Sequence, residues 1–218
     1  MVTIFFVFTR LKDPFCGASH IFGALLSVVA LVALLVAADG RYMHVVGFAI
    51  YGGSLIVLYT ASGLAHSIRC SPAGSAWLER IDYAAIFLLI AGTYTPICLV
   101  NLAGAWGWGL LIAEWTLAGI GVFVVLSNRG NVKRVRVVVY LAMGWLVLIA
   151  VPIVVERLAP GGVAWLAAGG VAYSVGAIFY VTDRPTLWPG RFSAHDLWHC
   201  MVLMGSACHF VVMLKYVA

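Results

Sequence analysis

Seven stretches of apolar residues, each about 20 long and each closed by a short polar break, leave this chain few folds to choose from. A run of that length covers the roughly 30 Å hydrocarbon core of a bilayer as an α-helix. Inside lipid, only a helix or a closed barrel satisfies every backbone N–H and C=O. By that length criterion the stretches lie at about 20–38, 43–66, 81–100, 104–126, 135–155, 163–182 and 194–216. The breaks carry turn chemistry: Asp39-Gly40, Ser71-Pro72, Ala103-Gly104, Asn128-Arg129-Gly130, Pro160-Gly161-Gly162 and Pro189-Gly190. Composition agrees, with 64% hydrophobic and 10% charged residues, where a soluble domain carries about a quarter charged. No break is long enough to hold a soluble domain. The expected fold is an all-α integral membrane protein, with residues 1–218 forming a single seven-transmembrane helix bundle.

The net charge of +5 bears first on orientation. Arg10, Lys12, Arg69, Arg80, Arg129, Lys133, Arg134, Arg136, Arg184 and Arg191 fall at the N-terminus and around the breaks after spans two, four and six. Arg41, Arg157 and Lys215 fall on the other side. The bias predicts a cytoplasmic N-terminus and, with seven spans, a C-terminus outside. There is no basic tail or aromatic-interleaved basic patch, so nucleic acid is not an expected partner. The five cysteines, Cys16, Cys70, Cys98, Cys200 and Cys208, are odd in number and form no CxxC pair. That argues against a disulfide framework and reads most of them as small core residues. Val2–Phe8 is apolar but short, lacks the charged start and cleavage site of a secretory signal, and is kept in the mature chain.

Against this apolar background, His195 and His199 stand four residues apart at the start of span seven. Positions i and i+4 share a helix face, so the two rings can close on one metal ion. Span two ends in a second such pair, Ser62 and His66, and span three begins with Asp82 in its first turn. Three histidines, a carboxylate and a hydroxyl from three helices thus meet in the cytoplasmic third of the membrane. Each alone has a plainer reading: an interfacial histidine, a helix-start carboxylate favoured by the macrodipole, a serine bonded to its own i−4 carbonyl. Together they favour a shared ion, because ionisable groups in a span are costly and usually face one another or a metal. Imidazoles with a nearby oxygen suit tetrahedral Zn²⁺, and three protein ligands leave a fourth position for water. His66, His195 and His199 are then the metal ligands. Asp82 holds or deprotonates the water, and Ser62 orients Asp82 or a substrate oxygen. The chemistry that follows is hydrolysis of an amide or ester in a membrane lipid.

Other ionisable residues fit that site less well. His20 opens span one on the same side and reads as interfacial. His209 lies ten residues beyond His199, roughly 15 Å along a helix and too far to share the metal. Glu114, in mid-span, can be protonated, pair with His209 or mark a polar path. Cys70 follows the end of span two and is not taken as a ligand, and His44 lies on the outer side.

Ser62-x-x-x-His66, Asp82 leading into Ile90-Ala91-Gly92-Thr93-Tyr94-Thr95-Pro96, and His195-x-x-x-His199 with His209-Phe210 resemble the hemolysin III proteins. These are the bacterial branch of the progestin and adipoQ receptor family, which includes the adiponectin receptors. The segment Gly17–Gly23 around His20 is also similar, and the resemblance runs over nearly the whole chain. It implies seven spans with the N-terminus inside, a multi-pass protein of a bacterial plasma membrane, and zinc on His66, His195 and His199. It further implies a water-mediated role for Asp82, with Ser62 nearby. Alkaline ceramidases of the wider superfamily share the arrangement and cleave a lipid amide. Two departures stand out: Tyr83, where relatives commonly have His, and Ala65, where they commonly have an aromatic residue.

Two other functions compete with a ceramidase-like hydrolase. One is a membrane-state sensor or receptor in which zinc braces helices two, three and seven. The other is a pore-forming cytolysin. A single chain offers few charged residues to line a channel, with Glu114 and His209 as the deep candidates, so a pore requires oligomers. The sequence leaves the oligomeric state open.

Overall fold

Prolines stand in the first turns of three long helices: Pro14, Pro72 and Pro160. There the missing N–H costs no hydrogen bond and the fixed φ already suits a helix. A computed structural model describes residues 11–127 and 132–218. Val2–Phe8, Arg10 and the Asn128-Arg129-Gly130 break lie outside the described residues. Among the described residues, seven helices are long and apolar enough to cross a membrane: α1 (Pro14–Ala37), α2 (Tyr42–Ser67), α3 (Pro72–Leu102), α4 (Gly104–Leu126), α5 (Lys133–Arg157), α6 (Pro160–Thr182) and α7 (Ala194–Val217). Among the described residues no strand forms, and the α6–α7 connection holds one isolated bridge between Trp188 and Phe192.

Two helices begin earlier than hydropathy alone indicates. α1 starts at Pro14 rather than near residue 20, and α3 starts at Pro72 rather than near residue 81. At Ser71-Pro72 the turn chemistry is an N-cap: the Ser71 hydroxyl accepts from the Gly74 N–H at 3.2 Å, and Pro72 follows at the first helical position. The early turns of α3 carry Trp77, Glu79 and Arg80, so the helix precedes its apolar part. Asp82 therefore lies in the third turn of α3, not the first. His20 lies well inside α1 and is buried, not interfacial.

Consecutive helices pack as neighbours, α1 on α2, α2 on α3, α3 on α4 and α6 on α7, while α1 meets α7 and closes the bundle. α2 and α3 are the most enclosed, and Phe48, Tyr51, Tyr59 and Leu34 form the centre of the core. α3 and α5 are irregular in their far halves. α3 widens into a π-helical turn over Ile97–Leu102, and α5 breaks after Gly144 into a 3₁₀ stretch, Leu146–Ala150. Tyr94 satisfies the backbone at that break. Its hydroxyl donates to the carbonyl of Met143 (2.9 Å) or Gly144 (3.0 Å) and accepts the Val147 N–H at 2.9 Å.

Candidate metal centre

The start of α1 is fastened to the end of α2. The Asp13 N–H donates to the His66 carbonyl at 2.8 Å, and the Lys12 N–H to the Ser67 carbonyl at 3.4 Å. Gly17 permits this approach, since a Cβ there would stand 2.5 Å from Ser67 Oγ and 3.3 Å from the His66 carbonyl oxygen. In the same turn, Asp13 Oδ2 lies 2.9 Å from His66 Nδ1. A carboxylate on Nδ1–H holds the tautomer whose Nε2 lone pair is free, and it fixes the ring direction.

α7 is anchored in a similar way. Ser193 caps the helix: its hydroxyl accepts the Asp196 N–H, and Asp196 Oδ2 accepts the Ser193 N–H at 2.7 Å, a reciprocal capping box. The cap sets the register of the first turn, and the i, i+4 spacing brings His195 Nε2 to 3.2 Å from His199 Nε2. His66 Nε2 lies 3.5 Å from His195 Nε2. These three nitrogens and Cys16 Sγ all lie within 4.8 Å of one another, an arrangement that can hold a metal ion. Cys16 is buried, and its thiol donates to Asp196 Oδ1 at 3.1 Å.

Asp82 flanks the group, with Oδ2 at 4.0 Å from His66 Nε2, and the Ser62 hydroxyl is its hydrogen-bonding neighbour. The His20 ring packs on His199, centroids 3.9 Å apart, and edge-on against Tyr59 at 5.0 Å. Neither His20 nitrogen has a hydrogen-bond partner among the described residues, nor does His199 Nδ1.

A cavity of about 980 Å³ opens beside the cluster. Its rim carries Lys12 and Glu79, an ion pair at 3.3 Å, together with Arg191. Inward it passes the four donors and Asp82, then apolar walls from Leu58, Ile86, Leu89 and Val202. It ends against Tyr94, Trp145, Tyr173 and His209. The lining is thus polar at the cluster end, apolar along its length and polar again at depth.

The structure brings together all five residues singled out in the sequence, His66, His195, His199, Asp82 and Ser62. It does not pair Glu114 with His209. Both Glu114 carboxyl oxygens lack a hydrogen-bond partner among the described residues, whereas His209 Nε2 lies 3.3 Å from the Leu166 carbonyl oxygen. Cys70 is exposed and His44 stands at the far end of α2, both outside the cluster. Sequence reasoning missed Cys16 and Asp13. The signal was present: Cys16 precedes His20 by four residues, the same face-sharing interval as the two pairs it meets. Starting span one near residue 20 hid it.

The family model described as Haemolysin-III related matches residues 8–210. The chain belongs to the haemolysin III family. Hemolysin-3 of Bacillus cereus is 41% identical over 209 residues, covering 94% of this chain and 92% of that protein. The Hemolysin-3 homolog of Bacillus subtilis (strain 168) is 39% identical over 212 residues, 96% of each chain. A more distant relative is the human Monocyte to macrophage differentiation factor, 26% identical over 171 residues, 77% of this chain and 68% of that one. The matched region of this haemolysin III-related, multi-pass membrane protein contains every member of the metal-capable cluster.

Proposed function

We propose that this protein is a zinc-dependent hydrolase of a lipid amide or ester, working at membrane depth. The observation that carries this reading is the convergence of three imidazole Nε2 atoms, at spacings of 3.2 and 3.5 Å, on the wall of a largely apolar cavity. Tetrahedral zinc with Zn–N bonds of about 2.0–2.1 Å requires ligand spacings of about 3.3 Å. The residues fit that ion. Bound here, zinc supplies Lewis acidity and makes water a nucleophile near neutral pH.

The chain's own groups have separable tasks. Asp13 holds the His66 ring so that Nε2 faces the metal position. Asp82, at 4.0 Å from His66 Nε2, is too far to bond that nitrogen but close enough to take a proton from an intervening water. The same carboxyl returns the proton to the departing nitrogen or oxygen of the lipid. Ser62 orients Asp82. The apolar walls around Leu58, Leu89 and Val202 suit an acyl chain and keep bulk water from the reacting centre.

The reading includes an orientation. Lys12, Arg69, Arg80, Lys133, Arg134, Arg136, Arg184 and Arg191 stand at the cluster end, against Arg41, Arg157 and Lys215 at the other. The positive-inside bias puts the cluster and the N-terminus at the cytoplasmic face of a bacterial plasma membrane. A second reading, a membrane-state sensor braced by structural zinc, is favoured by Cys16, because four protein donors are what closed structural sites have.

Metal analysis and lipid profiling together test these readings. Purified wild type should carry about one zinc per chain, and His66→Ala and His199→Ala should fall to background. Cells expressing Asp82→Ala should lose the lipid product formed by wild type while the protein keeps its zinc. Zinc at background in wild type would overturn both readings. Zinc retained with an unchanged lipid profile in Asp82→Ala would favour the sensor. Ion flux through liposomes that ignores every one of these substitutions would instead support a pore.

A further inference from the structure

Cys16 has two competing partners within reach of one sulfur. In this structure its thiol donates to Asp196 Oδ1 at 3.1 Å, yet Sγ also lies within 4.8 Å of the three converging imidazole nitrogens. A tetrahedral N–Zn–S edge, from Zn–N of about 2.0–2.1 Å and Zn–S of about 2.3 Å, spans about 3.6 Å. The sulfur therefore stands beside the position the histidines define, with every donor of the group within 4.8 Å of every other. It stands on the first turn of α1, whose backbone is fastened to the end of α2 at His66, so its Cα cannot drift from the cluster. A second observation points to the same place. His20, 2% exposed, lines the same cavity with its ring against His199, and neither of its nitrogens has a partner among the described residues.

We propose that Cys16 is a displaceable fourth ligand. With sulfur on the metal the coordination sphere is closed by protein and excludes water. With sulfur back on Asp196, the fourth position is open to an oxygen of water or substrate. The step is ligand exchange without electron transfer. On binding, the S–H bond breaks, its proton leaves through Asp196 Oδ1 to water at the cavity rim, and a sulfur–metal bond replaces a water–metal bond. On displacement the sulfur–metal bond breaks, an oxygen–metal bond replaces it, and a proton from water returns through Asp196 Oδ1 to sulfur. Asp196 is suited to both states, because its other oxygen is held by the Ser193 cap and Oδ1 stays aimed at Cys16. The scheme reconciles a three-histidine hydrolytic centre with a four-donor set, and it makes the open site conditional on an incoming ligand.

The proposal rests on the zinc reading, and the test separates the two. The full-length protein is loaded with Co²⁺ in place of zinc, and its absorption spectrum is recorded for wild type and Cys16→Ser. Zinc-loaded wild type is measured in parallel by X-ray absorption, so the outcome does not depend on the variant folding. The expected result is a sulfur-to-cobalt charge-transfer band in wild type that disappears in Cys16→Ser with cobalt still bound, and a zinc–sulfur distance of about 2.3 Å. Adding acetohydroxamate, a small oxygen-donor chelator, should abolish the band in wild type while the metal stays. Metal bound with no sulfur signal would overturn the proposal and leave the zinc reading intact. A band that survives in Cys16→Ser, or one that persists while acetohydroxamate alters the visible bands, would also overturn it. Absence of any bound metal would overturn both.

Discussion

α7 carries histidines at two depths, and the helix itself treats them alike. His195 and His199 meet His66 and Cys16 at one end, whereas His209 meets the Leu166 carbonyl of α6 and the Tyr173 ring. The difference comes from what the neighbouring helices offer. At the first depth, the beginnings and ends of α1 and α2 converge and bring in side-chain donors with free lone pairs. At the second, α6 presents backbone, because a Cβ at Gly169 would stand 2.4 Å from the His209 ring. Imidazole spacing on one helix therefore nominates a site, and the facing helices decide whether it becomes one. The two depths share one cavity, with the metal-capable cluster at one end and His209 at the other.

Removing a donor should break the contrast most. His66→Ala is expected to reduce bound metal to background by elemental analysis, whereas His209→Ala should leave the stoichiometry unchanged; equal losses in both would erase the distinction. Next in size is Asp13→Asn, which removes the carboxylate holding His66 Nδ1. Loss of such a supporting partner typically lowers metal affinity by about 10–100-fold, measurable by competition with a chelator. Gly17→Val should destabilise the protein by about 1–3 kcal/mol, because the side chain would press on Ser67 and the His66 backbone. Thermal unfolding in detergent checks this, and metal affinity should fall with it if the α1–α2 contact positions the cluster. The smallest effect is expected of Ser193→Ala. It removes the α7 cap at a cost of about 1 kcal/mol and loosens Asp196, while metal stoichiometry stays intact.

Much of the site was legible because its members lie at i, i+4 intervals on single helices, a relation that local geometry enforces. Ser62 with His66 and His195 with His199 are of this kind. Asp82 is legible by type, as a carboxylate within a span, but its depth is not, because Ser71-Pro72 has turn chemistry in sequence and acts as a helix cap in the fold. Asp13 and Cys16 were hidden for a different reason. Their partners, His66 and Asp196, are 53 and 180 residues away, and the local mark on Cys16, its four-residue interval to His20, falls before the stretch that hydropathy alone assigns to span one. Tyr94 is similar: its sequence surroundings say nothing of the break in α5 that its hydroxyl fills.

By itself, the sequence determined the number of helices, the minimum length each needs and the end of the bundle at which the histidines gather. Bilayer thickness and backbone hydrogen bonding dictate the first two, and the alternation of chain direction dictates the third. The tertiary structure alone decided which donors share a centre, how His66 is turned, and that a cavity joins the cluster to His209. Those outcomes depend on helix approach distances set by single small residues such as Gly17 and Gly169, where an added methyl group would press on Ser67 or on the His209 ring.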